Sequence, residues 1–244
     1  MLRTLLTVLL LASAGCAAGC ANAQSPCRAE TVAGTDYTIC SFDTTDDIRL
    51  FHSDAGGRVL GDFKSVESSL HDGHHLLFAM NAGMYHRDRS PVGLYVEDGV
   101  EQAPLVARAG PGNFGMLPNG VFSVRTDGTF HVDATPDYSG TDVRHATQSG
   151  PMLVIGGALH PRFLPDSTSL KIRNGVGVRS DGSALFAKSE TPLSFHSFAR
   201  LFRDELGTPD ALYLDGTISR LHIAGERSDG GLRMGPIVGV VTTD

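Results

Sequence analysis

Two cations at alternate positions, Lys171 and Arg173, directly precede the dipeptide Asn174-Gly175. In an extended segment alternate side chains share one face, so these cations would make that face locally positive. Asn tolerates a positive φ and Gly has no Cβ, which would let the backbone turn and bring N–H groups close to a ligand. The stretch therefore suits a bound phosphate or carboxylate. The alternative is an Asn-Gly hairpin turn that leaves both cations in solvent.

A carboxylate, Asp215, directly follows the apolar run Ala211-Leu-Tyr-Leu. This run predicts a short buried strand that presents the carboxylate at its end. The alternative is a surface turn, because Asp98-Gly99, Asp127-Gly128 and Asp181-Gly182 all lie between extended runs and are typical of hairpins.

Four stretches share one form, in which an apolar strand stops at a polar residue beside glycine. Strand ends of this kind expose backbone and one polar side chain, and functional sites gather there on rigid scaffolds. The four stretches contain Asn81-Ala-Gly83, Ser149-Gly150, Asn174-Gly175 and Asp215-Gly216-Thr217.

The elements that would position these residues are mostly strands. Between Gly93 and Ser189 the Asp-Gly pairs predict antiparallel sheet, and Glu30 to Phe42 is predicted to form one strand. Helices are predicted after the caps Asp62 and Ser194. The second helix would end at Gly207 and turn Phe195, Phe198 and Phe202 toward the core. We therefore expect an α+β fold, a single domain with a mixed, mainly antiparallel sheet and a few packed helices.

The N-terminus has the layout of a secretory signal peptide, a cationic start followed by a short apolar run and small residues ending at Ala23. We expect residues 1–23 to be removed and residues 24–244 to form one periplasmic or secreted domain. The apolar run is shorter than the roughly 20 residues that span a bilayer, so no membrane span is expected. Lipid attachment at Cys16 or Cys20 is the less favoured alternative.

The whole chain carries 20 basic against 27 acidic residues, which argues against a nucleic-acid binder. Two cysteines, Cys27 and Cys40, remain after cleavage, and in an oxidising compartment they are expected to form a disulfide. The alternative is two unpaired thiols.

No cysteine pattern typical of a metal site is present, and neither a phosphate-binding loop motif nor a nucleophile-elbow motif occurs. The cluster His71, His74 and His75 has only Asp72 as a nearby carboxylate, so a metal site is not favoured there. We predict no cofactor. The sequence leaves the oligomeric state open.

Taken in order, the four stretches resemble the phosphodiester glycosidase family. Three further stretches support the resemblance, which covers the chain from Leu76 to the C-terminus: Pro91-Val-Gly-Leu-Tyr-Val, Gly112-Asn-Phe and Pro118-Asn-Gly-Val-Phe. The resemblance implies a mixed α+β fold, which agrees with the strands and helices predicted above. It also implies an exported hydrolase that cleaves the bond between a sugar and a phosphate ester in a phosphorylated sugar or glycan.

Such a substrate needs a cation for its phosphodiester and a carboxylate near the anomeric carbon. Under this resemblance Arg173 would neutralise the phosphate, Asp215 would act as nucleophile or base, and Asn81 would position a sugar hydroxyl or the attacking water. The expected substrate-binding residues are Gly83, Ser149, Gly150, Lys171, Asn174, Gly175, Gly216 and Thr217.

The sequence after the carboxylate departs from the family pattern. Many relatives continue as Asp-Gly-Gly-Gly-Ser, whereas this chain reads Asp215-Gly216-Thr217-Ile218-Ser219. The identity of the accepted sugar therefore stays open. The competing hypothesis is a non-catalytic binder of anionic glycans at the cell envelope. The carboxylate favours the hydrolase, because a pure anion binder gains nothing from a negative charge beside its cation.

Overall fold

The computed structural model describes residues 25–215 and 218–243. The predicted signal peptide, Cys16, Cys20, Gly216 and Thr217 lie outside the described residues. The strands, in chain order, are β1 (Cys27–Val32), β2 (Thr35–Phe42), β3 (Asp47–Phe51), β4 (His74–Asn81), β5 (Tyr95–Glu97), β6 (Val100–Ala103), β7 (Gly120–Arg125), β8 (Phe130–Ala134), β9 (Val143–Ser149), β10 (Met152–Ile155), β11 (Ala158–Leu159), β12 (Asn174–Val178), β13 (Ala184–Ser189), β14 (Asp210–Asp215), β15 (Leu221–Ile223), β16 (Arg227–Ser228) and β17 (Ile237–Thr243). The helices are α1 (Phe63–Glu67), a 3₁₀ turn (Thr135–Asp137) and α2 (Phe195–Arg200), which continues as a π-helical turn (Leu201–Glu205).

Three antiparallel sheets build the domain. Sheet 1 has seven strands in the order β1-β2-β13-β12-β14-β10-β11. Sheet 2 has five strands in the order β16-β15-β4-β17-β3, and sheet 3 has five in the order β6-β5-β9-β7-β8. Two short helices accompany them, so the fold is the predicted α+β class with mainly antiparallel sheet.

A central core lies where the three sheets face one another. Phe42 and Phe186 of sheet 1, Phe78 of sheet 2 and Phe122 of sheet 3 belong to one buried cluster. Their rings form a connected chain, with centroids 5.0 Å apart for Phe42 and Phe78 and 5.2 Å apart for Phe78 and Phe186. Such tilted aromatic pairs add packing energy beyond their buried area. Burial of this cluster therefore holds the three sheets in fixed relative positions.

Helix α2 covers the outer face of sheet 1, and its contacts explain two glycines of β12. A Cβ added at Gly175 would lie 3.3 Å from Cε1 of Phe198, and one added at Gly177 would lie 2.9 Å from Cδ1 of Phe202. The glycines thus leave room for the phenylalanines. Ser194 caps the helix by accepting a hydrogen bond from the Ser197 backbone N–H, as the sequence predicts.

Helix α1 covers the outer face of sheet 2 and has 5 residues. The Asp62 side chain accepts a hydrogen bond from the backbone N–H of Ser65, which confirms Asp62 as the cap. Phe63 and Val66 are buried against sheet 2.

One local prediction is wrong, and one alternative is excluded. Glu30 to Phe42 is a hairpin of β1 and β2 rather than one strand, because Ala33 and Gly34 adopt positive φ values of 48° and 79°. Asn174-Gly175 is not a hairpin turn. Both residues pair with β13 and β14 inside sheet 1, and the missing side chain of Gly175 leaves room for the Leu212 carbonyl of β14 and for Phe198.

The three Asp-Gly hairpins are confirmed. Asp98-Gly99 joins β5 to β6, Asp127-Gly128 joins β7 to β8, and Asp181-Gly182 joins β12 to β13. The disulfide between Cys27 and Cys40 is present and links β1 to β2. Among the described residues, every helix is too short or too polar to cross a membrane.

Candidate functional site

The site is organised by two buried asparagines at the meeting point of sheets 1 and 2. Asn81 is the last residue of β4, Asn174 is the first residue of β12, and neither side chain is exposed to solvent. The Asn174 Nδ2 donates to Asn81 Oδ1 at 2.9 Å and to the Asn81 carbonyl at 3.3 Å. The Asn81 Nδ2 in turn lies 3.4 Å from Asn174 Oδ1. An amide both donates and accepts, so two facing amides satisfy one another inside the protein.

Each asparagine also holds one end of the segment that begins at Asp215. The Asp215 backbone N–H donates to Asn174 Oδ1 at 2.9 Å, and the Arg220 backbone N–H donates to Asn81 Oδ1 at 2.9 Å. Ser219 adds a third contact, because its hydroxyl donates to the Asp215 carbonyl at 3.1 Å. The asparagine pair therefore fixes where both Asp215 and Arg220 leave the sheets.

Sheet 3 supports this junction from one side. The Ser149 hydroxyl donates to the Leu214 carbonyl at 2.7 Å, and the Gly83 N–H donates to Thr147 Oγ1 at 3.1 Å. A Cβ at Gly150 would lie 2.7 Å from Cβ of Asn119. Gly83, Ser149 and Gly150, predicted to bind substrate, are thus buried and engaged with protein atoms. A direct substrate contact by any of them stays a prediction.

Arg220 lies beside a cavity of about 390 Å³. The residue is only 8% exposed, yet no ion pair within the described residues involves its guanidinium. The same cavity is lined by apolar side chains, Ile172, Ile218 and Leu232, and by Asp229, whose carboxylate is already paired with Arg227. Because a buried cation without a counter-charge is costly, this arrangement favours an anionic ligand at Arg220.

Two tyrosines lie in the electrostatic field of Asp215. Burial raises the pKa of the Tyr85 phenol, and Asp215 raises this pKa further, while Arg89 and Arg220 partly offset both effects. Burial also raises the pKa of Tyr213, which the Arg173 guanidinium lowers and Asp215 raises. Both phenols therefore stay protonated at neutral pH and can donate hydrogen bonds.

Arg173 does not form the exposed positive face that its spacing from Lys171 predicts. Lys171 is exposed, but Arg173 is 1% exposed, and its guanidinium lies over the Phe195 ring with Cζ 3.6 Å from the ring centroid. Its Nε donates to the Leu193 carbonyl at 2.9 Å and its Nη2 to the Ser169 carbonyl at 3.0 Å. The prediction of an exposed face is wrong because helix α2 covers the side of the sheet from which Arg173 projects.

The environment of Arg173 still connects it to the site. Its Nη1 is buried and has no hydrogen-bond partner among the described residues, and its Cζ lies 5.5 Å from the Tyr213 ring centroid. Burial lowers the pKa of Arg173, and Tyr213 partly offsets this effect. The structure thus places Tyr213 within electrostatic range of both Arg173 and Asp215. A catalytic role of Arg173 stays a prediction, and this geometry suits a positioning role.

A cluster of four charged side chains lies beside the asparagine pair. Glu190 accepts hydrogen bonds from Arg227 at 2.7 Å and from Lys188 at 3.0 Å, and Asp229 accepts from Arg227 at 2.8 Å. Lys188 pairs across the sheet with Asn174. Burial alone would raise the pKa of Glu190, but hydrogen bonds from Arg227, Thr38 and Lys188 hold it at about 2. The cluster neutralises its own charges, so Glu190 is not suited to act as an acid.

Sequence reasoning missed Arg220 and the two tyrosines as site residues. The available signal for Arg220 was its place between the Asp215 stretch and the apolar strand β15.

Histidine ligands are not supported by the geometry, since no group of three or more His, Cys, Asp or Glu among the described residues is arranged to hold a metal ion.

The fold and the site together define a class, a mainly antiparallel domain with a carboxylate and an arginine anchored at one junction of its sheets. Residues 74–233 match the model of the phosphodiester glycosidase family. The chain is 36% identical over 183 residues to the uncharacterized protein YigE of Escherichia coli strain K12, covering 74% of this chain and 71% of that one. The chain therefore belongs to the phosphodiester glycosidase family.

Solved structures share the fold at low sequence identity. The catalytic domain of zebrafish N-acetylglucosamine-1-phosphodiester alpha-N-acetylglucosaminidase, auto-inhibited by its pro-peptide, is similar with a TM-score of 0.60 and 13% identity over 88% of this chain and 81% of that one. A hypothetical protein from Synechocystis has a TM-score of 0.62 and 13% identity over 88% of this chain and 61% of that one. A putative exported protein from Burkholderia pseudomallei has a TM-score of 0.62 and 12% identity over 84% and 74% of the two chains.

The asparagine pair yields a stability prediction. Asn174→Asp replaces a donor with an acceptor that faces Asn81 Oδ1, so we expect the free energy of unfolding at pH 7 to fall by about 3 kcal/mol. The loss should shrink at pH 4, because a buried aspartic acid with a raised pKa takes up a proton and can donate again. Urea unfolding followed by circular dichroism measures both values. The exposed Asn113→Asp serves as control, and equal stability of the two variants would contradict the role of the pair.

The charged cluster yields a pH prediction. Because the folded pKa of Glu190 is about 2, below the ordinary value of 4.5, its stabilising contribution is full above pH 4.5 and is lost as the pH falls toward 2. Glu190→Gln should lower the free energy of unfolding by about 2 kcal/mol at pH 7, and the difference from wild type should disappear near pH 2. Urea midpoints across this range test it, with the exposed Glu205→Gln as control. A deficit independent of pH would exclude the ionic explanation.

Proposed function

We propose that this protein is an exported hydrolase that cleaves the sugar–phosphate bond of glycosyl-1-phosphodiesters, from a glycan or cell-envelope polymer. The observation that carries the proposal is that one asparagine pair anchors both Asp215, a partly buried carboxylate, and Arg220, a buried arginine that forms no ion pair within the described residues. Membership in the phosphodiester glycosidase family supports the same chemistry.

The two charges match the two requirements of the reaction. A phosphodiester carries one negative charge, and its phosphate gains a second as the bond to the anomeric carbon breaks. Arg220 would stabilise that growing charge from the cavity it lines. Phosphate is a good leaving group, so protonation of the leaving oxygen contributes less than it does for an ordinary glycoside.

Asp215 would supply the group that replaces the phosphate. As a nucleophile its oxygen would bond to the anomeric carbon while the phosphate monoester leaves, and water would then hydrolyse the glycosyl ester. As a base it would take a proton from water while the water oxygen attacks the same carbon. Either route releases a reducing sugar and a phosphate monoester. Tyr85 lies within electrostatic range of both charges and would donate a hydrogen bond to the substrate.

Export is part of the proposal. The Cys27–Cys40 disulfide begins four residues after the predicted cleavage site at Ala23, and disulfides persist in oxidising compartments. The mature domain would then begin at Gln24 and act in the periplasm or outside the cell.

Asp215→Asn is expected to lower kcat for release of reducing sugar by about 10³-fold, because the nucleophile or base is lost. The assay uses purified mature protein and a panel of methyl phosphodiesters of sugar-1-phosphates. Asp181→Asn is the matched control, since it alters an Asp-Gly pair that forms a surface hairpin. Unchanged turnover in Asp215→Asn would remove this residue from the mechanism. Saturable binding of the panel without product would favour the non-catalytic glycan binder.

Arg220→Gln is expected to raise KM for the same substrates by about 10- to 100-fold, because a charge-assisted contact to the phosphate is lost. The backbone N–H of residue 220 remains available to Asn81, so the circular dichroism spectrum should be unchanged. Arg203→Gln removes one positive charge from the exposed end of α2 and should leave KM at the wild-type value. A KM for Arg220→Gln equal to that of the control would place the phosphate elsewhere.

A further inference from the structure

A second cavity, of about 450 Å³, lies beside the turn that follows Tyr85. We call it the apolar groove. Its walls come from the two ends of one continuous stretch, residues 86–93 and 103–114. The larger apolar residues that line it are Pro91, Val92, Pro104, Val106, Pro111 and Phe114.

The walls of the apolar groove are joined by a buried glutamine. The Gln148 Oε1 accepts hydrogen bonds from the backbone N–H groups of Leu94 and Val106, each at 3.0 Å. Its Nε2 donates to the Val106 carbonyl at 2.8 Å. Gln148 is 1% exposed, so these bonds are shielded from water. Together with the prolines, whose φ is restricted, they make the groove a preformed feature rather than a gap between mobile loops.

Among the described residues that line the groove, Arg108 carries the charge. It is exposed, and no acidic side chain lines the groove. An apolar wall with a cation at the surface complements a ligand that combines a hydrocarbon part with an anionic part. A second sugar ring is a poorer match, because its hydroxyls need several hydrogen-bonding side chains that these walls do not supply.

The apolar groove adjoins the candidate site through the chain itself. Tyr85 forms an isolated β-bridge with Pro91, which lines the groove, and His86 directly follows it. The Tyr85 ring packs closely on Gly235, because a Cβ added there would lie only 2.4 Å from its Cγ. Asp215 raises the pKa of the Tyr85 phenol and Arg220 lowers it, so Tyr85 is shared by the groove and the electrostatic surroundings of these two residues.

We propose that the apolar groove binds the aglycone of the phosphodiester substrate and that this aglycone is a hydrocarbon chain, so that the substrate class is a glycosyl-1-phospholipid. This inference rests on the proposed function. In the proposed complex, Arg220 contacts the phosphate and the sugar lies next to Asp215. The hydrocarbon chain of the substrate runs past Tyr85 into the groove.

The first test compares two substrates that share one sugar and differ only in the aglycone, methyl or n-decyl, each below its micelle-forming concentration. We expect KM for the decyl phosphodiester to be at least about 10-fold lower, since each buried methylene adds to the binding energy. Equal KM values, or a preference for the methyl compound, would overturn the inference while leaving the proposed function intact.

Two variants locate the preference. Ala109→Trp places a large side chain in the apolar groove, and it should reduce the ratio of the methyl to the decyl KM to about one. Ala55→Trp makes the same change in an exposed turn and should retain the wild-type ratio. A wild-type ratio in Ala109→Trp would show that the chain binds elsewhere and would overturn the proposal.

A binding measurement separates this inference from the hydrolase proposal. Calorimetry with decyl phosphate and methyl phosphate on the Asp215→Asn variant measures the affinity of the groove for the hydrocarbon chain without turnover. Tighter binding of decyl phosphate, lost in the Asp215→Asn/Ala109→Trp double variant, would support the groove even if no phosphodiester is hydrolysed. Equal binding of the two phosphates would overturn it, whatever the activity of the wild type.

Discussion

The hydrogen bonds between Asn81 and Asn174 are the constraint on which the site depends. They join the ends of β4 and β12, strands of two different sheets, and no solvent reaches either amide. The same two oxygens receive the backbone N–H groups of Asp215 and Arg220. Neither asparagine needs to touch a substrate to matter, because together they fix the backbone at the two residues that carry the Asp215 carboxylate and the Arg220 guanidinium. Preorganisation of this kind is what lets charged groups stabilise a transition state without reorganising.

The basic residues near the site divide into satisfied and unsatisfied ones. Lys188 and Arg227 form ion pairs with Glu190 and Asp229, so their charges are neutralised within the protein. Arg220 has no such partner among the described side chains and faces a cavity. This contrast, rather than the number of basic residues, is the reason for proposing Arg220 as the anion-binding residue in a chain whose net charge is −7.

Local signals predicted the elements well. The Asp-Gly pairs gave the hairpins, Ser194 gave the start of α2, and the run before Asp215 gave β14, because turns, caps and short buried strands depend on neighbouring residues. The error at Arg173 has a nonlocal cause, since alternation along a strand does not tell which face a distant helix covers. Arg220 was missed for the same reason. Its place between the Asp215 stretch and β15 was a local signal, but its burial and its bond to Asn81 arise only in the folded chain, because Asn81 is 139 residues away in sequence.

The packing of α2 on β12 links the helix that covers sheet 1 to the candidate site. Phe195 lies over Arg173, Phe198 over Gly175 and Phe202 over Gly177. The helical segment therefore packs on this stretch through three successive contacts. A side chain introduced at Gly177 would press on Thr208 and Phe202, and one introduced at Gly175 would press on the Leu212 carbonyl and Phe198. Displacement of these phenylalanines would disturb the packing of Phe195 on the Arg173 guanidinium. Substitutions on the face of sheet 1 that α2 covers would therefore also change the surroundings of Asp215 at the end of β14.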